Sequence, residues 1–267
     1  MSFAGRLREA ITHSESILCV GLDPDLTTAP DAASAESFCA GLLDATLMHA
    51  CAVKANIAFF EQHGSAGYAV LERLRARVPS DRLLIIDAKR GDIGSSSEAY
   101  ARALFDVLGA DAITANPLMG EDALRPLLDR PGRGCFLLTR TSNPGAADIL
   151  EQPLSDGHPV YEHIACMVER WDTAGNAGLV VGATAPEAVA RLRRRVPHLP
   201  FLIPGVGAQG GSLQEAVAAG LDGGGGGLLV AVSRGIAQAP GGAGPAATHY
   251  REHLERARQT AVSPPGL

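Results

Sequence analysis

The stretch Leu83-Leu-Ile-Ile-Asp-Ala-Lys-Arg-Gly-Asp92 decides how the chain is read. Its first half is a continuous aliphatic run with no polar alternation. A strand with one face in water alternates apolar and polar side chains, whereas a strand covered on both faces does not. The run therefore predicts a buried strand of a parallel sheet. Its second half turns charged as soon as the strand reaches its C-terminal end. Gly178-Leu-Val-Val-Gly182 is a second run of the same kind.

Working outward, eight such runs recur: Ile17–Leu22, Cys51–Ile57, Leu83–Ala88, Ala112–Asn116, Cys135–Arg140, Gly178–Gly182, Phe201–Val206 and Leu228–Val232. Helix-period segments lie between them, among them Ser34–Ala50, Ser65–Val78, Ser95–Leu108 and Pro186–Val196. Eight β-then-α units in about 250 residues predict an α/β chain closed into a (β/α)8 TIM barrel, although a doubly wound sheet uses the same units. No Pro/Gly/Ser linker separates two parts, so residues 1–267 are expected to form one barrel domain. The short low-complexity stretches Gly223–Gly227 and Pro240–Pro245 flank the eighth strand and read as loops.

Composition narrows the function classes. The chain is 46% hydrophobic but only 4% aromatic, so small aliphatic side chains must fill the interior. A formal charge of −6 argues against nucleic-acid binding. The one basic cluster, Arg191, Arg193, Arg194 and Arg195, ends a helical pattern before Pro197 and reads as a solvated helix end. Cys19, Cys39, Cys51, Cys135 and Cys166 are odd in number and never paired as CxxC, which predicts free thiols in a reducing compartment. Met1–Ser16 lacks the apolar core of a signal peptide, and no apolar run approaches the ~20 residues of a membrane helix. A cytoplasmic protein with no membrane partner is expected. No GxSxG or HExxH motif occurs, and His249 and His253 share a helical face that reads as solvated.

The unusual polar residues Asp23, Lys54, Asp87, Lys89, Asn116 and Arg234 all fall at or just after a strand's C-terminal end. In barrel enzymes that face carries the chemistry. Of the 23 basic residues only Lys54 and Lys89 are lysine. An arginine is a fixed cation, whereas an ammonium can give up a proton, so a lysine kept at a strand end suggests a proton donor or a compact cation. Asp87 and Lys89 are two apart on a strand and should share a face. Asp92 lies beyond the strand, between Gly91 and Gly94, in a loop able to swing away from its own barrel. Two acids and two cations packed with alternating sign hold one another ionised.

Gly205-Val-Gly-Ala-Gln-Gly210 spells G-x-G-x-x-G, but it follows the seventh strand rather than the first strand of a βαβ unit. A phosphate site fits better, because barrels bind phosphate in the loops after strands seven and eight. Gly207, Gln209 and Gly210 would expose backbone N–H groups there, and Arg234 would add a bidentate contact.

Taken together these motifs resemble the orotidine 5'-phosphate decarboxylase family. Asp87-Ala-Lys-Arg-Gly-Asp92-Ile matches its D-x-K-x-x-D signature. Gly21-Leu-Asp-Pro24, Val53-Lys54, Thr141-Ser-Asn-Pro-Gly145, Pro204-Gly-Val-Gly-Ala-Gln209 and Ser233-Arg-Gly-Ile236 follow in family order. Ile93-Gly-Ser-Ser-Ser97 and Asn116-Pro-Leu-Met-Gly120 look like the longer bacterial branch, with Leu118 standing where an aromatic residue is expected. The resemblance implies a homodimer acting on orotidine 5'-phosphate without cofactor or metal. It implies Lys89 as proton donor, Asp87 beside the substrate carboxylate, and Lys54 and Asp23 on the ribose hydroxyls and in the charge array. Asp92, with Ile93 and Ser96, would reach into the partner's site. Ser142 would read the pyrimidine edge, and Gln209 and Arg234 would grip the phosphate.

Loss of carbon dioxide from C6 leaves a carbanion that no neighbouring group delocalises. With no electron sink in the sequence, preorganised electrostatics around a lysine ammonium would have to stabilise it. Three other readings compete. A magnesium-dependent sugar-phosphate decarboxylase or synthase shares D-x-K-x-x-D but is expected to carry an acidic ligand where this chain has Lys54. A Schiff-base aldolase would use Lys89 covalently. A non-catalytic phosphosugar-binding barrel would not need the Asp/Lys array.

Overall fold

A computed structural model describes residues 1–207 and 210–262. Eight parallel strands close into a barrel in sequence order: β1 (Leu18–Leu22), β2 (Ala52–Asn56), β3 (Leu83–Arg90), β4 (Ala112–Ala115), β5 (Gly134–Arg140), β6 (Ala177–Val181), β7 (Phe201–Ile203) and β8 (Leu228–Val232). The ring closes where Leu18, Cys19 and Val20 pair with Val230, Ala231 and Val232. Every residue of β1, β6 and β8 is buried, as continuous aliphatic runs require when helices cover the outside. This is the (β/α)8 barrel that the alternating units predict; the doubly wound sheet is excluded.

The helices are α1 (Phe3–Ser14), α2 (Ala32–Thr46), α3 (Ala58–Glu61), α4 (Gly64–Arg77), α5 (Gly94–Ala101) and α6 (Glu121–Leu128). They continue as α7 (Ala146–Ile149), α8 (Val160–Trp171), α9 (Pro186–Arg195), α10 (Leu213–Gly220), α11 (Arg234–Ala237) and α12 (Ala243–Val262). Two of the differences from the pattern-based expectation have a clear physical form. The helix expected over Ser95–Leu108 widens after Ala101 into a π-helical stretch, Arg102–Val107, where Leu108 N–H reaches back five residues to Ala103 O at 3.0 Å. Strand β7 stops at Ile203 rather than Val206, because Pro204 has no N–H to offer the ladder.

Helix α1 closes the N-terminal end of the barrel. Its Phe3 is fully buried, packs edge-on against Phe136 at 5.6 Å, and sits where a Cβ on Gly134 would be 2.6 Å from the ring. Arg193 corrects the solvated reading of its cluster. Its guanidinium is buried, donates to the carbonyls of Gly220, Leu199 and Gly227 at 2.7–3.0 Å, and lies 3.8 Å over the Phe201 ring. The five cysteines are free, and burial pushes the Cys19, Cys39 and Cys135 thiols up to about 12. In the glycine run the Asp222 carboxylate accepts N–H bonds from Gly224 at 2.9 Å and Gly226 at 2.8 Å, which folds it into a turn before β8.

Candidate active site

At the C-terminal end of the barrel a cavity of about 490 Å³ opens, lined by Asp23, Lys54, Asp87, Lys89, Ser142 and Arg234 with residues of the intervening loops. Six of the residues singled out from the sequence thus converge, although they lie on five different strand ends. The register explains the first contacts. Gly21 pairs with Lys54 and Asn56 with Asp87, so the ends of β1, β2 and β3 stand level.

Asp87 is the hub. Its Oδ2 lies 3.2 Å from Lys54 Nζ, and its Oδ1 lies 2.6 Å from Lys89 Nζ and accepts from Thr114 Oγ1 at 2.8 Å. Burial would raise the Asp87 carboxyl, but Lys54 and Lys89, with the Thr114 hydroxyl, outweigh it and hold it down at about 2. Lys54 is buried, with Nζ also 3.9 Å from Asp23 Oδ1. Burial would lower its ammonium, yet Asp23 and Asp87 keep it above the ordinary lysine range. Asp23 is itself fixed, accepting from Asn56 N–H at 3.2 Å and from the Ser233 hydroxyl. That last bond crosses the space beside Gly21, where a Cβ would stand 1.7 Å from Ser233 Oγ, so the Gly21-Leu-Asp23 motif needs its glycine.

Lys89 reaches Asp87 by a route that strand alternation does not describe. The β3–β4 register shifts between Ile86 and Arg90, and Lys89 adopts φ 49°, in the left-handed region. For a non-glycine residue this costs roughly 1–2 kcal/mol. Lys89 N–H leaves the ladder and donates to Thr114 Oγ1 at 2.9 Å. Its ammonium is half-exposed at the mouth, in reach of a ligand in the cavity.

Other expected residues fall elsewhere. Asp92, Ile93 and Ser96 do not line this cavity; Asp92 Oδ1 accepts from Ile93 N–H at 2.7 Å, while Ile93 and Ser96 point to solvent. Asn116 turns away to accept from Leu118 N–H at 3.0 Å. Leu118 is exposed, so the loss of an aromatic side chain there costs no core packing. Gly207 and Gly210 do not present free donors. Gly207 N–H donates to Gly211 O at 3.2 Å and Gly210 N–H to Gly207 O at 2.8 Å, and both glycines hold a positive φ. Gln209 lies outside the described residues. Arg234 lines the cavity, and its guanidinium makes no hydrogen bond or ion pair with another described residue; a planar fork of this kind suits an anion.

Three contributors were missed. Thr114, Asn56 and Ser233 each hold one of the two carboxylates. A β-branched threonine is ordinary in a strand, so its only signal was its place near the end of the fourth apolar run. Among the described residues no group of three or more His, Cys, Asp or Glu could hold a metal ion.

The family model described as "Orotidine 5'-phosphate decarboxylase / HUMPS family" matches residues 16–248, the whole barrel. The chain belongs to this family. A Roseiflexus castenholzii protein named orotidine 5'-phosphate decarboxylase is 50% identical over 249 residues, covering 91% of each chain. Another of that name, from Thermomicrobium roseum, is 44% identical over 100% of this chain and 99% of its own. The Leishmania donovani OMP decarboxylase structure superposes with a TM-score of 0.91 at 43% identity, covering 97% of this chain and 100% of that one.

Proposed function

We propose that this chain, a carboxy-lyase of its family, converts orotidine 5'-phosphate to uridine 5'-phosphate, the last step of de novo pyrimidine synthesis. The observation that carries the reading is the Asp87 carboxylate held between two ammonium groups at the barrel mouth. In the proposed reaction the bond from C6 to the carboxylate breaks, carbon dioxide leaves, and the electron pair stays on C6. Lys89 Nζ faces that developing charge and gives it a proton, then recovers one from solvent. Because the ammonium is fixed before reaction, little reorganisation is needed as charge develops.

Asp87, held ionised, stands beside the substrate carboxylate. Lys54 and Asp23 take the ribose hydroxyls, Ser142 the pyrimidine edge, and Arg234 with Gln209 the phosphate. Binding at the phosphate, far from C6, would align the ring and close the loops over it. Lys54 Nζ lies 3.9 Å from Asp23 and 3.2 Å from Asp87, where a divalent ion would compete with it. That arrangement supports a metal-independent decarboxylase over a magnesium-dependent relative.

We further propose a cytoplasmic homodimer of one-domain chains, in which Asp92, Ile93 and Ser96 complete the partner's site. Their absence from their own cavity supports this, as do the exposed apolar side chains of Ile93, Leu118 and Met119 on neighbouring mouth loops. No described helix is long and apolar enough to cross a membrane.

Loss of orotidine 5'-phosphate absorbance with purified, EDTA-treated protein tests the activity. No turnover, or turnover only when magnesium is returned, would refute it. The shared site is tested by refolding Lys89→Ala and Asp92→Ala chains together. About half the dimers are then mixed, each with one intact site, so roughly a quarter of wild-type activity should return. Activity no higher than the parents' average would put Asp92 in its own chain's site.

A further inference from the structure

Lys89 occupies a backbone conformation that a lysine does not choose for itself, and one hydroxyl stands at the centre of what holds it there. Thr114 is almost fully buried on β4. Its Oγ1 accepts the Lys89 N–H at 2.9 Å, and its proton goes to Asp87 Oδ1 at 2.8 Å. The same Oδ1 accepts from Lys89 Nζ at 2.6 Å. The three bonds close a ring in which both ends of Lys89 are tied to Asp87, the ammonium directly and the backbone amide through Thr114.

The residue after Lys89 is fixed separately. Arg90 O accepts Asn116 N–H at 2.8 Å, and the Arg90 guanidinium pairs with Glu61. The strand end therefore has its own anchors. What Thr114 alone supplies is the partner for the amide that the left-handed turn at Lys89 removes from the ladder.

We infer that Thr114 is a positioning residue for the proposed proton donor, its hydroxyl locking Lys89 and Asp87 into one rigid unit. The inference rests on the decarboxylase reading for its catalytic consequence, but not for the lock itself. Valine keeps the shape of threonine and removes both bonds, so Lys89 loses its amide acceptor and Asp87 one of its donors. Serine keeps the hydroxyl.

Two measurements test this. In turnover, Thr114→Val should lower kcat about 10- to 100-fold with KM changed by less than about 3-fold, the pattern of a misaligned reacting group. Thr114→Ser should restore kcat to within about 3-fold of wild type. A Thr114→Val enzyme that keeps most of its kcat overturns the inference, and so does a serine variant as impaired as the valine one.

The second readout needs no turnover. The chain has only two lysines, so selective 13C-lysine labelling gives side-chain signals for Lys54 and Lys89 alone. In the wild type the two ε-methylene protons of Lys89 should be inequivalent, as in a held side chain. They should merge in Thr114→Val while the Lys54 pair stays unchanged. Unchanged Lys89 signals, or Lys54 signals that collapse as well, overturn the lock in favour of no role or a general packing role. If the wild-type protein does not decarboxylate orotidine 5'-phosphate, the functional reading fails, and the labelled spectra still decide the lock.

Discussion

Two carboxylates mark the two ends of the barrel, and the chain surrounds them with different cations. At the mouth, Asp87 meets the ammonium groups of Lys54 and Lys89 at 3.2 and 2.6 Å. At the floor, Asp111 lies one residue before β4, with its side chain only 2% exposed. It meets the guanidinium groups of Arg6, Arg133 and Arg75 at 2.6, 3.5 and 3.7 Å and accepts Leu84 N–H at 2.9 Å. Arg6 also donates to Gly132 O at 2.9 Å, so it fastens α1 across the barrel floor. The planar fork of arginine suits a permanent structural joint, while the compact ammonium of lysine can move a proton. Burial does not separate these two carboxylates; the identity of their cations does.

The largest expected effect separates the two ends outright. Lys89→Ala should cut turnover about 10³-fold or more, while the melting temperature moves by no more than about 2 °C. Lys89→Arg should also fail, by about 10²-fold or more, because the charge stays and the transferable proton does not. Steady-state kinetics beside thermal melts checks both, and a well-folded Lys89→Ala enzyme with substantial activity would break the contrast.

At the floor the expected pattern reverses. Asp111→Ala leaves three guanidinium groups and an amide without their acceptor and should cost about 3–5 kcal/mol of stability. The melting temperature should fall by roughly 10 °C, with kcat at low temperature changed by less than about 2-fold. A stable but inactive Asp111→Ala protein would show that the floor is coupled to the chemistry.

Acid sharpens the comparison at intermediate size. The Asp87 carboxyl is held at about 2 in the folded protein against an ordinary 3.8. A depressed carboxyl contributes stability that is present above its unfolded value and lost as pH falls toward its folded one. About 2 kcal/mol should therefore disappear between roughly pH 4 and pH 2. Urea melts of Asp87→Asn over that range should be flatter than wild type by this amount; parallel curves would mean the mouth cluster does not hold Asp87 ionised.

The smallest effect is the informative conservative change. Arg6→Lys keeps the floor charge but loses the second arm of the fork, the one on Gly132 O. It should cost about 1 kcal/mol and leave kcat unaltered. Set beside Lys89→Arg, it reverses the direction of the exchange, and a large loss of activity would undo the assignment of arginine to structure.

Much of the barrel is written in local sequence. The aliphatic runs marked all eight strands, because burial on both faces removes the polar alternation, and the scarcity of lysine pointed to Lys54 and Lys89. Asp23, Asp87 and Arg234 were also legible as polar residues at the ends of apolar strands, whereas Asn116, read the same way, turns out of the cavity, and Ser142 came only with the family resemblance. What sequence could not give were contacts between elements distant in the chain. Nothing in the local sequence pairs Arg6, Arg75 and Arg133 with Asp111; the fold brings them together. Arg193 read as solvated until α9 laid it over Phe201.

The loop amides and the lysine backbone belong with those contacts. Gly207 and Gly210 supply conformational freedom, but their N–H groups are taken by the carbonyls of Gly211 and Gly207. The left-handed turn at Lys89 and the hydroxyl of Thr114 depend on the register between β3 and β4, which no run of residues announces. By itself the sequence determined which segments are buried strands and which charged side chains stand at their ends, because both follow from local patterns of polarity. Only the tertiary structure decided which carboxylate meets which cation and how Lys89 is aimed, because hydrogen bonds are fixed by distances that packing alone sets.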